Sequence, residues 1–168
     1  GRMAAVFASE AVVAGAIRGT EGPVSIAAIN GPEHVVISGA SDVVSAVLSA
    51  LKVKGVRAQE LVVSHAFHSP LMDPILDEFE RAVARVTWLS PRVRIVSNLT
   101  GAISPSADLA SPAYWRQHLR APVRFSASVN TIASNGCNWL LEVGPNPTLL
   151  GMAGRFLPEG QVLSLPSL

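Results

Sequence analysis

Two β-type runs, residues 24–29 and 34–38, are separated only by Asn30-Gly31-Pro32-Glu33. Asparagine, glycine and proline in succession suit a chain reversal, so the two runs are predicted to pair as an antiparallel hairpin. This hairpin is the middle of a longer alternation. Before it stand an apolar run over 3–8 and a small-residue helix over 10–17, with Ser9 at its N-cap and 19–23 closing it. After it, Ser41 and Asp42 open a helix whose Val44, Val47, Leu48 and Leu51 recur at helical spacing, and Gly55 supplies the stop. A last strand over 59–63 completes the order β-α-β-β-α-β. That is the order of a ferredoxin-like subdomain, two helices on one face of a four-stranded antiparallel sheet, predicted over residues 1–64.

From Ser69 the texture changes. Ser69 as N-cap and Pro70 as first helical residue predict one long amphipathic helix through Leu71, Met72, Ile75, Leu76, Phe79, Ala82, Val83 and Val86. Residues 94–97 read as a short buried strand, and 101–112, rich in serine, proline and alanine, as a loop. Helices over 113–119 and 126–135 follow, then a strand over 139–143 and a Gly144-Pro145-Asn146-Pro147 turn. A helix over 148–156 and a strand over 162–165 end the chain. The expected class is therefore mixed α/β (α+β), with residues 65–168 as a second α/β layer.

Composition removes several functions. Thirteen basic against twelve acidic side chains leave a net charge of +1, with no cluster of lysine and arginine to bind phosphates, so nucleic acid is not an expected partner. The single cysteine, Cys137, cannot form a disulfide within the chain or a cysteine metal cage, and its plain reading is a small buried hydrophobe before a strand. Neither a membrane-length apolar run nor a signal-peptide pattern is present, so a cytoplasmic location is expected. A mean hydropathy of +0.37 is high for a small soluble domain, which raises the expectation that part of its apolar surface meets something else.

The histidines carry the chemical signal. His65 and His68 stand in Ser64-His65-Ala66-Phe67-His68-Ser69-Pro70, and His118 in Tyr114-Trp115-Arg116-Gln117-His118-Leu119. Each fits an ordinary half-buried histidine. A zinc site lacks a third ligand and the His-Glu-x-x-His spacing, so no metal is expected. General-base catalysis is the third reading and favours His68, because a strand end running into a Ser-Pro helix start disfavours imidazolium and keeps the ring able to accept a proton.

Taken together, the motifs resemble the acyltransferase domains of modular type I polyketide synthases, relatives of the malonyl-CoA:acyl-carrier-protein transacylase of fatty acid synthesis. The matching stretches are Gly1-Arg2-Met3-Ala4-Ala5-Val6, residues 28–39, residues 63–74, Val96-Ser97-Asn98-Leu99-Thr100-Gly101, Tyr114-Trp115 through Pro122-Val123-Arg124-Phe125, and Leu141-Glu142-Val143-Gly144-Pro145. In such domains a serine within Gly-His-Ser-x-Gly takes the acyl group from coenzyme A, and a histidine activates it. The resemblance implies that His68 is that histidine. It also implies that a backbone carbonyl near the Tyr-Trp motif, at the position of His118, orients the imidazole, and that Asn30 lies near the active site; a plain turn residue is an equal reading of Asn30. His65, Ala66 and Phe67 occupy positions that differ between malonyl-type domains, with His-Ala-Phe-His, and methylmalonyl-type domains, with Tyr-Ala-Ser-His. A phenylalanine ring there would fill the space an α-methyl needs, though Phe67 also fits a core aromatic.

No Gly-x-Ser-x-Gly occurs in the sequence, so the nucleophile elbow is expected upstream, and the second layer is expected to be the C-terminal part of an α/β-hydrolase-like acyltransferase core. The implied reaction moves malonyl from malonyl-CoA through an acyl-serine to the phosphopantetheine thiol of an acyl carrier protein, with no tightly bound cofactor. The implied partners are that carrier protein, the N-terminal half of the same domain and a neighbouring ketosynthase; the isolated chain is expected to be inactive. Two alternatives stand beside this: a transacylase of fatty acid synthesis or an inactive relative, and a ferredoxin-like interaction module without catalysis.

Overall fold

The protein is described by a computed structural model covering residues 1–167. Its first part runs β1 (Arg2–Val6), α1 (Glu10–Arg18), β2 (Val24–Gly31), β3 (His34–Gly39), α2 (Ser41–Val53) and β4 (Ala58–Leu61). The strands lie in the order β2-β3-β1-β4, every neighbouring pair antiparallel. The expected hairpin forms, but pairing continues to Gly31 opposite His34, so the reversal is Pro32-Glu33 alone and Asn30 lies inside β2.

The period-2 and period-3.6 patterns meet in one core. Ala4, Val6, Val35 and Ile37 of the strands close on Val13, Val44, Val47 and Leu51 of the two helices. Helix α2 stops because Gly55 turns left-handed, with φ of 74°. The Gly55 and Val56 amides then return to the Lys52 and Leu51 carbonyls, satisfying groups the helix end would leave open. The two helix starts differ. Ser9 stands at its N-cap without a side-chain cap bond, and Ser41 is already helical behind Ala40.

The opposite face of the sheet carries Met3, Ala27 and Val36. The second part of the chain meets the sheet here: Gly1 approaches Ala66 so closely that a Cβ on it would stand 2.5 Å from the Ala66 Cβ. Segment 121–125 also joins β2, through amide bonds from Ile29 to the Val123 carbonyl and from Val123 to the Ala27 carbonyl, both 2.8 Å.

Beyond residue 69 several expectations need correction. The long helix is two pieces, a 3₁₀ segment Pro70–Ile75 and α3 (Leu76–Val83), because Pro74 has no amide hydrogen to continue an α-helix and crowds the carbonyl four residues back. Residues 94–97 form no strand: a single bridge joins Val96 to Ile103, since no further strand lies beside them among the described residues. The 101–112 loop contains a helical turn, α4 (Ser106–Leu109). Then follow α5 (Pro112–Arg120), α6 (Phe125–Ser134), β5 (Trp139–Glu142), α7 (Thr148–Ala153) and β6 (Leu163–Pro166). Strands β5 and β6 pair in parallel. Cys137 is exposed, not buried. The class is mixed α/β, and no described helix is long and apolar enough to cross a membrane.

Candidate active site

His68 is held at three points. Its Nδ1 lies 2.8 Å from the Ala121 carbonyl oxygen, which can only accept, so Nδ1 carries the proton and Nε2 keeps the lone pair. Its own carbonyl accepts a 2.7 Å hydrogen bond from the Ser25 hydroxyl on β2. Its backbone, with φ of 57°, is the one described non-glycine residue in the left-handed region. Ser69, fully buried, fixes the following turn: its hydroxyl donates to the Ala66 carbonyl at 2.6 Å and accepts from the Leu71 amide at 3.3 Å. The N-cap expected of Ser69 is therefore present.

Burial pushes the His68 pKa below its ordinary value of 6.5; hydrogen bonds to the carbonyls of Ala121 and, less strongly, His118 oppose the shift. The His118 carbonyl expected to orient the ring is thus the lesser of two backbone acceptors. The bond of good geometry goes to Ala121, which stands in extended conformation at the end of α5 and so turns its carbonyl out of the helix. Ala121 is itself fixed by its amide, which reaches the Gln117 carbonyl at 2.7 Å, and by the Val123 bridge to β2. Helix α5 is clamped against the 3₁₀ segment and α3 by Arg120 on Asp73 at 2.6 Å and by Arg116 on Asp77 and Glu80. Exposed ion pairs are weak singly, and this group acts by orienting one helix at several points.

The His118 ring, by contrast, does meet His68, edge to face, with centroids 6.2 Å apart. Burial lowers its pKa, and the neighbouring His68 adds to the effect. It sits with Tyr114 and Trp115 beside a cavity of about 420 Å³ that Trp88, Asn98 and Leu109 also line. The Ser97-Asn98 and Tyr-Trp motifs converge here: the buried Ser97 hydroxyl lies 2.6 Å from the Tyr114 hydroxyl.

The remaining candidates divide. Ala66 is buried against Gly1, a packing position. Phe67 is 43% exposed in this chain, and its ring leans on the exposed His65 with centroids 5.8 Å apart. Both flank His68 in sequence and face solvent. Asn30 is half-buried near the end of β2, and its side chain makes no hydrogen bond to His68 among the described contacts. Two contributors escaped the sequence reading. Ala121 acts through its carbonyl, which leaves no side-chain signal, and Ser25 reads as an ordinary strand residue until the fold sets it behind His68.

The model of the acyl transferase domain family matches residues 1–160. Polyketide synthase GfsA of Streptomyces halstedii is 45% identical over 160 residues, 95% of this chain and 2% of that protein. The acyltransferase domain from the second module of the salinomycin polyketide synthase superposes with a TM-score of 0.94 at 40% identity, covering 99% of this chain and 39% of that one. A malonyl-CoA:acyl carrier protein transacylase of Xanthomonas oryzae pv. oryzae superposes at 0.89 and 30% identity, over 98% and 53%. The chain therefore spans well under two thirds of each of these relatives. The family match over residues 1–160 places this chain in the acyl transferase domain family, and its fold superposes over nearly all of its length on parts of an acyltransferase domain of a polyketide synthase and of a malonyl-CoA:acyl carrier protein transacylase.

Proposed function

We propose that this chain is the C-terminal portion of a polyketide synthase acyltransferase that moves malonyl from malonyl-CoA to the phosphopantetheine thiol of an acyl carrier protein. On this reading residues 1–64 are the ferredoxin-like small subdomain, in line with the β2-β3-β1-β4 antiparallel order. Residues 65–168 are the last part of the α/β-hydrolase-like large subdomain. The observation that carries the proposal is the state of His68: Nδ1–H spent on Ala121, Nε2 unprotonated, and a pKa lowered by burial. That is a base ready at neutral pH.

The nucleophile is a serine outside this chain, on a Gly-His-Ser-x-Gly elbow. Nε2 of His68 takes the serine proton as its oxygen attacks the malonyl thioester, and returns it to the departing coenzyme A thiolate. In the second half the same nitrogen takes the carrier thiol's proton and hands it back to the serine oxygen. The Nδ1–Ala121 bond keeps the ring in one tautomer throughout and disperses charge on the transient imidazolium. Backbone amides beside the serine stabilise the oxyanion. His65 and Phe67 face the extender and select malonyl. The carrier protein, the N-terminal half of the domain and an adjoining ketosynthase are the partners, and the reaction takes place in the cytoplasm without a resident cofactor.

The test is intact mass after exposure to malonyl-CoA, with this chain alone and joined to the segment carrying the elbow. Malonylation confined to the joined protein and located on the elbow serine, and lost in His68→Ala, is the expected result. A malonyl adduct on this chain alone would place the nucleophile within it and overturn the proposal.

A further inference from the structure

We propose that Ser25 is a positioning residue for the proton transfer at His68, acting through the His68 main chain and not by touching any reacting atom. The inference rests on the reading of His68 as the base and adds to it what keeps that base aimed.

His68 occupies a conformation its side chain disfavours. A φ of 57° brings Cβ toward backbone atoms and is disfavoured for a non-glycine residue, so it persists where surrounding contacts hold it. Two of those contacts are local. The Ser69 hydroxyl closes the turn onto the Ala66 carbonyl, and the Met72 amide reaches the Ser69 carbonyl at 2.9 Å, but both fix residues on either side of His68 and leave its own carbonyl free to swing. Among the described residues, the Ser25 hydroxyl alone grips that carbonyl, at 2.7 Å and from 43 residues away.

The origin of the grip is as informative as its length. Ser25 lies on β2, paired with Ser38 of β3, two residues before Ala27. The Ala27 carbonyl accepts the amide of Val123, and Val123 stands two residues past Ala121. One strand therefore sets both ends of the catalytic alignment: the main chain of His68 through Ser25, and the acceptor of its Nδ1 proton through Ala27 and Val123. With the Ser25 hydroxyl gone, the His68 peptide can relax toward negative φ, which carries Cβ and the ring away from the Ala121 carbonyl. The Nδ1–H tautomer then loses its preference, and the fraction of rings presenting a bare Nε2 to the serine falls.

The experiment uses the complete acyltransferase containing this chain, as wild type, Ser25→Ala, Ser25→Thr and His68→Ala. Malonyl transfer kinetics are combined with ¹⁵N NMR of histidine-labelled protein to read the His68 tautomer. Ser25→Ala is expected to lower kcat about 10–100-fold, the scale of a small misplacement of a reacting group, with KM for malonyl-CoA unchanged. The His68 spectrum is expected to move from a single Nδ1–H form toward a mixture. Ser25→Thr keeps the donor and restores both. Should Ser25→Ala not fold, Ser25→Cys, similar in size and a weak donor, is expected to show the same changes in smaller measure. Unchanged kcat and tautomer in Ser25→Ala, or a loss of kcat with the tautomer intact, overturns the inference. Full activity in His68→Ala overturns instead the reading of His68 as the base, so the two failures are distinct.

Discussion

The Nδ1 atom of His68 and the carbonyl oxygen of Ala121 stand 2.8 Å apart, joining the turn after the first sheet to the end of helix α5. The bond selects the tautomer with a free Nε2. Because burial is the leading influence on this ring, its neutral form persists to a lower pH than that of a free histidine.

A pH dependence follows for the acyltransferase containing this chain. In the proposed mechanism His68 acts as base when neutral, so kcat/KM is expected to be flat at neutral pH and to fall as pH drops through a value below 6.5. Stability has the same sign. His34, His68 and His118 all have lowered folded-state pKa values, so below about 6.5 the unfolded chain binds protons that the folded one refuses. Thermal stability is therefore expected to hold above pH 7 and decline below 6.5 toward the depressed folded-state values. A kcat/KM limb centred above 6.5 would contradict this account.

A second prediction concerns Glu142, the last residue of β5. Its carboxylate accepts the amides of Leu149 at 3.0 Å and Leu150 at 2.8 Å, two of the open donors in the first turn of α7. Pro147, at the N-cap, offers no side-chain acceptor. Glu142→Ala is expected to cost about 1–2 kcal/mol, by analogy with the loss of a side-chain cap. For a chain of this size that is a fall in Tm of about 2–8 °C. Glu142→Gln keeps one acceptor and is expected to lose less. Melting curves in which all three proteins coincide would mean that the carboxylate does not cap α7.

Sequence legibility followed the physics of each element. The alternation 24–29 and 34–38 and the spacing of Val44, Val47 and Leu51 describe faces buried within the chain itself, so pattern and fold agree. Residues 94–97 look like a strand because Ile95 and Val96 are apolar and β-branched, but a strand requires a neighbour, and among the described residues a single bridge to Ile103 answers. Pro74 was visible, yet the amphipathic spacing around it concealed that the first turn is 3₁₀. His68 could be singled out because the role proposed for it belongs to a side chain. Its supports are a main-chain carbonyl, a left-handed φ and a hydroxyl 43 residues away, and none of these is a property of local sequence.

Extender choice gives a third prediction. Phe67 is exposed and supported by the His65 ring, and no core packing accounts for an aromatic at this point. If the ring excludes a branched extender, Phe67→Ser combined with His65→Tyr will reduce the preference for malonyl-CoA over methylmalonyl-CoA. The expected change is about 10–200-fold, the range open to one methyl-sized contact. Competition between the two thioesters, read by mass on the acylated protein, measures it directly. A stable variant with an unchanged ratio would assign Phe67 to another role.

The last prediction concerns the exposed face of the β5–β6 sheet. Parallel strands are normally covered on both faces, yet here Trp139, Leu141 and Val143 alternate outward along and just past β5 at 68%, 63% and 81% exposure, with Leu163 of β6 beside them at 50%. Scattered apolar residues are ordinary on a surface; a contiguous row on a two-stranded sheet fits a face that a partner covers. The chain alone is therefore expected to bind a hydrophobic dye and to show red-shifted Trp139 emission. On the proposed reading, joining it to a segment that carries the nucleophile elbow should remove the dye binding and shift that emission to the blue. Leu141→Asp is expected to weaken this association and, with it, malonyl transfer, while leaving the β1–β4 sheet intact. A monomeric chain that binds no dye, with Trp139 emission already blue, would show the face to be satisfied without a partner.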